Sequence, residues 1–298
     1  MTLAQQVAQF IASGIVNGTI YALLGLGLVA IHSVTRVVNV AQGEFAAFGA
    51  LLAATLVARG SPLPGALAVA VAAAAVLGGG IHHIAIRPAR TSSALVLLII
   101  TIAIHLAFKG ILLLLWGTNP FTLPPFSAGP PIRILSAFVN RQSLWVIAIT
   151  ALVLAVLYLF FTRTIRGKSL RACAVNATAA RLVGIRVDRM GTLAWVIAGA
   201  LGGLAGVLIA PLTLATYDMG LILGLKGFVG AVVVGMASYP WTVAACIAFG
   251  VVESLGAGLI SSNYRDGIAF AVLIAVLLWR ALATLRVGLI ISEEAAQE

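Results

Sequence analysis

Apolar residues fill this chain in long runs, and the few polar interruptions mark where the runs stop. The first run extends from about Phe10 to Ile31 and carries Gly14 and Gly18, a small-xxx-small face that admits a second helix closely. After a short link, Val37 to Phe45 sets Asn39, Gln42, Gly43 and Glu44 into an apolar stretch that continues to Ala58. A third run follows Pro62 and Pro64 and ends near Ile86, before Arg87-Pro88-Ala89-Arg90, and a fourth spans Ala94 to Trp116. From Gly117 to Arg141 the five prolines at 120, 124, 125, 130 and 131 forbid a continuous helix, so this segment is expected to be an external loop.

The fifth run, Leu144 to Phe161, leads into the one long polar segment, Thr162 to Met190. Beyond it, Thr192 to Leu212 places Gly199, Gly202, Gly203 and Gly206 for close packing. Thr213 to Tyr239 contains Asp218, Lys226 and several glycines and predicts a broken seventh span. Trp241 to Ile260 and Gly267 to Arg280 supply the last two. Each span needs about 20 residues, so the pattern predicts an all-α polytopic transmembrane bundle of about nine spans, within limits of eight to ten. Residues 1–298 are read as one transmembrane unit with no soluble domain.

Composition agrees: 62% of the residues are hydrophobic, 9% are charged, and the mean hydropathy is +1.14. The net charge of +10 is concentrated, since Arg163, Arg166, Lys168, Arg171, Arg181, Arg186 and Arg189 stand in the polar segment against Asp188 alone. Positive loops resist translocation, which places residues 162–190 in the cytoplasm, the proline-rich loop and the N-terminus outside, and the C-terminus inside. The charge lies between apolar flanks without interleaved aromatics, so anionic lipid is the expected partner and nucleic acid is not. Cys173 and Cys246 suggest neither a disulfide nor a metal site, and no removed signal peptide is expected. Within the polar segment Asn176 is a good N-cap, Ala177 to Val183 are mostly helix formers, and Gly184 can end the helix in a left-handed conformation. A helix of that size is about 10 Å long, suited to docking into a groove on a cytoplasmic partner.

Gly167-Lys168-Ser169 resembles the end of a phosphate-binding loop, but Thr162 stands where that motif needs glycine. His82 and His83 are adjacent and diverge on a helix, so neither an ATP site nor a metal site is expected in this chain. What remains is a set of polar groups in costly surroundings: Asn39, Gln42, Glu44, Lys226 and Glu253. They either line a water-filled path or pair with one another and with backbone.

The residues resemble a known family, the membrane subunits of the branched-chain amino-acid (LivH/LivM-type) ABC importers, and more closely the LivH-like half. The resemblance covers nearly the whole chain. It rests on Asn17-Gly18-Thr19-Ile20-Tyr21-Ala22-Leu23 leading to Val37-Val38-Asn39-Val40-Ala41-Gln42-Gly43-Glu44, and on Gly167-Lys168-Ser169-Leu170-Arg171-Ala172 followed by Asn176 and Ala180-Arg181-Leu182-Val183-Gly184-Ile185. Gly224-Leu225-Lys226-Gly227-Phe228 and Tyr264-Arg265-Asp266 complete it. It implies a permease of a bacterial inner membrane importer that works by alternating access. Its partners would be a second permease, LivM-like or a second copy, two cytoplasmic ATPases that bind the ATP and magnesium, and an extracytoplasmic solute-binding protein. The translocation path would then include Asn39, Gln42, Gly43, Glu44, Lys226, Gly227 and Glu253. The ATPase-coupling segment would include Gly167, Lys168, Arg171, Asn176, Ala180, Arg181 and Gly184. The same family also serves urea and short-chain amides, and a passive solute channel is the rival from another class; it accounts for the polar interruptions but not for a docking segment.

The orientation is directly testable. Cysteines introduced as Ser127→Cys and Thr178→Cys, probed with an impermeant thiol reagent in intact cells, should label only at position 127; labelling at 178 from outside would invert the scheme.

Overall fold

The computed structural model describes residues 2–134, 137–259, 261 and 266–279. The tail beyond residue 279 and the Tyr264-Arg265 part of the last motif lie outside the described residues. Helix α1 (Leu3–Thr35) opens the chain, followed by α2 (Gln42–Ala58) and α3 (Leu63–Ile81), which runs on as a π-helical turn, His82–Ile86. Next come α4 (Ala94–Trp116), a small hairpin of β1 (Ile132–Ile134) and β2 (Ala137–Val139), and α5 (Arg141–Arg163). The polar segment forms α6 (Ile165–Val175) and α7 (Ala177–Leu182); α8 (Val187–Ile209), α9 (Met219–Val233), α10 (Tyr239–Leu259) and α11 (Asp266–Trp279) follow. Among the described residues six helices are long and apolar enough to cross a membrane, and α2, α9 and α11 are shorter apolar helices.

Two corrections to the sequence reading follow. The first helix is longer than expected, running on to Thr35, where Arg36 takes a left-handed conformation with φ 57°. The polar segment holds two helices rather than one: the Thr164 side chain accepts a hydrogen bond from Gly167 N and caps α6, and α8 already begins at Val187. Short-range polarity hid α6, because its basic residues read as loop while the cap and the apolar positions Leu170 and Cys173 were sufficient for a surface helix.

Helix α1 is the axis of the bundle, buried along most of its apolar length, with α8 beside it. Glycines set the distances. A Cβ at Gly14 or Gly18 would press on the α10 backbone at Val251 and Ile247, and Gly250 answers from α10. On α8 four of the five glycines face two ways, Gly199 and Gly203 against Ala74 of α3, Gly202 and Gly206 against Phe45 and Ala46 of α2. Helices α4 and α5 pack only along one stripe each and leave large apolar side chains such as Leu114 and Leu159 exposed, as lipid-facing spans do.

The ends sort into two faces. Gln9 of α1 exchanges hydrogen bonds with the Phe138 backbone, so the N-terminal end of α1 and the proline-rich segment share one face. On the opposite face Arg36 donates to Ala174 O of α6, and Arg90 pairs with Asp188, joining the link after α3 to the basic segment.

Two alanine substitutions test the role of the glycines. At Gly206 a Cβ would land on the Ala46 carbonyl, and overpacking of this kind costs about 1–3 kcal/mol. At Gly110 on α4 nothing lies within 4 Å, and exchanging a helical glycine for alanine gains ~0.5–1 kcal/mol. Thermal unfolding in detergent should therefore fall for Gly206→Ala and hold or rise for Gly110→Ala.

Candidate functional site

Helices α2 and α9 are 17 and 15 residues long. At 1.5 Å per residue they reach about 25 and 22 Å, less than a hydrocarbon core of about 30 Å. Both therefore begin inside the bundle, and their first turns meet there. A Cβ at Gly43 would overlap the Gly220 carbonyl, and one at Gly220 would sit 2.5 Å from Glu44 Oε1. These are the positions where glycine is required by contact, since any side chain would push the two helix starts apart. Each start presents a positive dipole end, and the Glu44 carboxylate lies against the start of α9 at Gly220.

A polar layer surrounds that crossing. Asn39 Nδ2 donates to Gln42 Oε1 over 3.3 Å, Asn39 Oδ1 accepts from Ala41 N at 3.2 Å, and Gln42 Nε2 donates to the Ala198 carbonyl of α8 at 2.9 Å. Gly27 on α1 gives room for that amide, because a Cβ there would collide with Gln42 Nε2. From α4, Thr101 donates to Val38 O at 3.0 Å, and His105 Nδ1 comes within 2.9 Å of Glu44 Oε1. The last approach is skewed: neither carboxylate oxygen of Glu44 nor His105 Nδ1 makes an aligned hydrogen bond, although both side chains are buried. Half-satisfied polar atoms in such a place invite water or a solute group that completes them.

The remaining sequence candidates form a second cluster on α9, and Gly220 and Lys226 are six residues, or about 9 Å, apart along the helix. Lys226 Nζ pairs with Glu253 Oε1 of α10 at 2.7 Å and with Asp266 Oδ1 of α11 at 2.8 Å. Tyr21 of α1 donates its hydroxyl to Glu253 Oε2 at 2.7 Å. Four helices are thereby tied through one lysine, and Gly227 lets α9 lie against Leu24 and Gly25 so that the lysine can reach. Of the two readings the sequence left open for Lys226 and Glu253, the structure shows pairing.

Sequence reasoning missed His105 and Thr101, and it did not bring Tyr21 and Asp266 to the Lys226–Glu253 pair. A signal for the first two existed: Thr101, His105 and Lys109 recur every fourth residue in an otherwise apolar helix and so share one stripe. Nothing local announces that Tyr21 and Asp266 converge on residues 232 and 40 positions away, respectively.

In the basic segment Asn176 Oδ1 accepts from Thr178 N and Ala179 N, both at 3.0 Å. Helix α7 ends with Gly184 N donating to Arg181 O and Ile185 N to Ala180 O, a left-handed stop with Gly184 at φ 84°. The expected cap and stop are thus in place. Ala180 is a correction, because its side chain is buried against Leu170, Cys173 and Ala194 and cannot meet a partner. Gly167 is likewise inward, seated on the Phe160 carbonyl. The outward residues are Lys168, Arg171, Asn176, Arg181 and Gly184, together with Leu182 and Val183, which are 85% and 76% exposed. Above α7 a cavity of about 570 Å3 lies on the basic face, rimmed by Arg87, Arg90 and Arg181 and reaching Val37, two residues before Asn39.

The clasp has a measurable weight. Removing one partner of a buried ion pair costs about 3–5 kcal/mol, so Lys226→Met should lower the unfolding temperature sharply. Tyr21→Phe removes one hydrogen bond to a charged group, worth ~1.5–3 kcal/mol, and should lower it less. Equal stability of all three proteins in a detergent melt would mean that the clasp does not hold the bundle.

Comparison with known proteins gives the geometry its context. The family described as branched-chain amino acid transport system / permease component matches residues 10–277. Over 283 residues the chain is 30% identical to the high-affinity branched-chain amino acid transport system permease protein LivH of Salmonella typhimurium, covering 89% of this chain and 91% of that one. It is 28% identical over 286 residues to the permease protein BraD of Pseudomonas aeruginosa, with coverage of 91% and 93%. A probable branched-chain amino acid transport permease protein LivH of Methanocaldococcus jannaschii is 26% identical over 280 residues. With a bundle of apolar helices, two shorter helices meeting at a buried polar layer, and a family match along nearly its whole length, the chain belongs to the family of branched-chain amino acid transport permeases and is an integral membrane subunit of such a transport system.

Proposed function

We propose that this permease carries branched-chain or other hydrophobic amino acids inward, along a path that passes the crossing of α2 and α9. The observation that carries the reading is Glu44, buried at the meeting of two helix N-termini with neither oxygen in an aligned hydrogen bond. A zwitterionic solute brings what that layer is short of: its ammonium complements Glu44, and its carboxylate complements the amide donors of Asn39 and Gln42 and the positive dipole ends of the two helix starts. Gly43 keeps the crossing narrow. Lys226, Gly227 and Glu253 act beside the path as the clasp that fixes α9.

The partners follow from the same reading. A second permease, LivM-like or a second copy, completes the path, two cytoplasmic ATPases bind ATP and magnesium, and an extracytoplasmic binding protein delivers solute to the face of the proline-rich segment. The N-terminus is outside and the basic segment inside. Helix α7 docks into the ATPase with Lys168, Asn176, Arg181 and Gly184 around the exposed Leu182 and Val183. Two observations support this: the apolar pair would otherwise face water, and Ala180 plugs the helix into α6 and α8, so that a push on α7 reaches the bundle. ATP-driven closure then rocks the spans between inward and outward openings.

Proteoliposomes containing the complete complex separate these roles. Glu44→Gln keeps shape and removes charge, and should lower uptake about tenfold or more, as befits a charged hydrogen bond of ~1.5–3 kcal/mol, while the ATPases still co-purify. Leu182→Asp should do the reverse at the docking face and release the ATPases. Unchanged uptake in Glu44→Gln and Asn39→Leu would place the path elsewhere, and ATP-independent uptake would favour a channel.

A further inference from the structure

We propose that the groove between α5 and α10 is a binding site for an anionic phospholipid, with an acyl chain against Leu26 and the headgroup phosphate on Arg171. The groove holds about 460 Å3. Its floor is Leu26 of α1, its walls are Leu154 and Leu157 of α5 and Val243 of α10, and the stacked rings of Phe161 and Tyr239, 4.6 Å apart, line its end nearest the basic face. Polarity is confined to that end, where Thr162 and Arg171 border the opening.

The depth matches a lipid lying in one leaflet. Leu154 precedes Arg163 by nine residues, so the apolar part extends about 13 Å into the membrane from the basic face. The mouth is where a headgroup would be. Arg171 is exposed, and among the described residues it has no acidic partner and no hydrogen bond, with Arg166 and Lys168 on the same helix adding to the positive potential. A guanidinium fork matches phosphate oxygens, whereas an apolar partner helix filling the groove would offer Arg171 no acceptor. A phospholipid satisfies both ends at once. This assignment moves Arg171 out of the ATPase-coupling set implied by the family resemblance, and it stands independently of the transported solute.

The test uses the complete transporter in phosphatidylcholine nanodiscs with a trace of phosphatidylglycerol bearing a photoreactive acyl chain. Crosslinks should fall on the peptides carrying Leu154 to Tyr158 and Pro240 to Val243, and excess phosphatidylglycerol should compete where phosphatidylcholine does not. Arg171→Gln should lower the yield about fivefold, the equivalent of ~1 kcal/mol per basic side chain at an anionic surface. Val243→Trp, which fills the groove, should abolish labelling while the complex still assembles. Equal labelling by a phosphatidylcholine probe, or full labelling in Arg171→Gln, would overturn the site. Labelling of the isolated permease but not of the complete transporter would show the groove to be covered by the second permease, and would overturn it as well.

Discussion

In hydrocarbon one apolar helix gains no hydrophobic energy by leaving lipid for another apolar helix, so this bundle is held by how closely its backbones approach. Glycine sets that approach at every major crossing of α1 and α8. Gly14, Gly18 and Gly250 seat α10 on α1, and the two glycine pairs of α8 seat α3 and α2 on opposite sides. Because the contacts are backbone against backbone, the crossings tolerate almost no added volume, and the positions of α2 and α9 inherit that rigidity.

The two shorter helices, α2 and α9, depend on it most. A helix start inside a membrane exposes N–H groups that water cannot reach, and it survives only where other protein groups or an aqueous path meet them. Here two such starts share one place, with Glu44 against the start of α9 and the amides of Asn39 and Gln42 adjoining. The Lys226 clasp lies on the next turns of α9 and fixes that helix to α1, α10 and α11. A fixed helix whose start borders the unsatisfied Glu44 is a suitable wall for a path, since the groups that solute would meet are already oriented.

The basic face divides its work among three features. Helix α7 presents Leu182 and Val183, the cavity beneath the link collects Arg87, Arg90 and Arg181, and α6 sets Arg171 at the mouth of an apolar groove. All three draw on the same run of basic residues. The proposed partner docking and lipid contact would therefore share one basic surface, and only the direction each side chain takes tells them apart.

Periodicity and hydropathy were enough to show an all-α membrane bundle, its broken second and seventh spans, and the cap and stop of α7, because those features depend on residues within a few positions of one another. The small residues of α1 and α8 were also legible as contact faces, since glycine on an apolar helix has few other uses. Which helix each face meets was decided only in three dimensions. So was the fate of the polar candidates: Glu44 and Lys226 look alike in sequence, both ionisable in apolar surroundings, yet Lys226 finds Glu253 and Asp266 across the bundle while Glu44, among the described residues, meets a misaligned histidine. Ala180 turned inward and Arg171 outward for the same reason, since a short helix gives no sign in its sequence of which side will be turned inward. Local composition determines what a segment can be; the long-range packing of α1 with α8, α9 and α10 determines which polar groups are satisfied and which are left to bind something else.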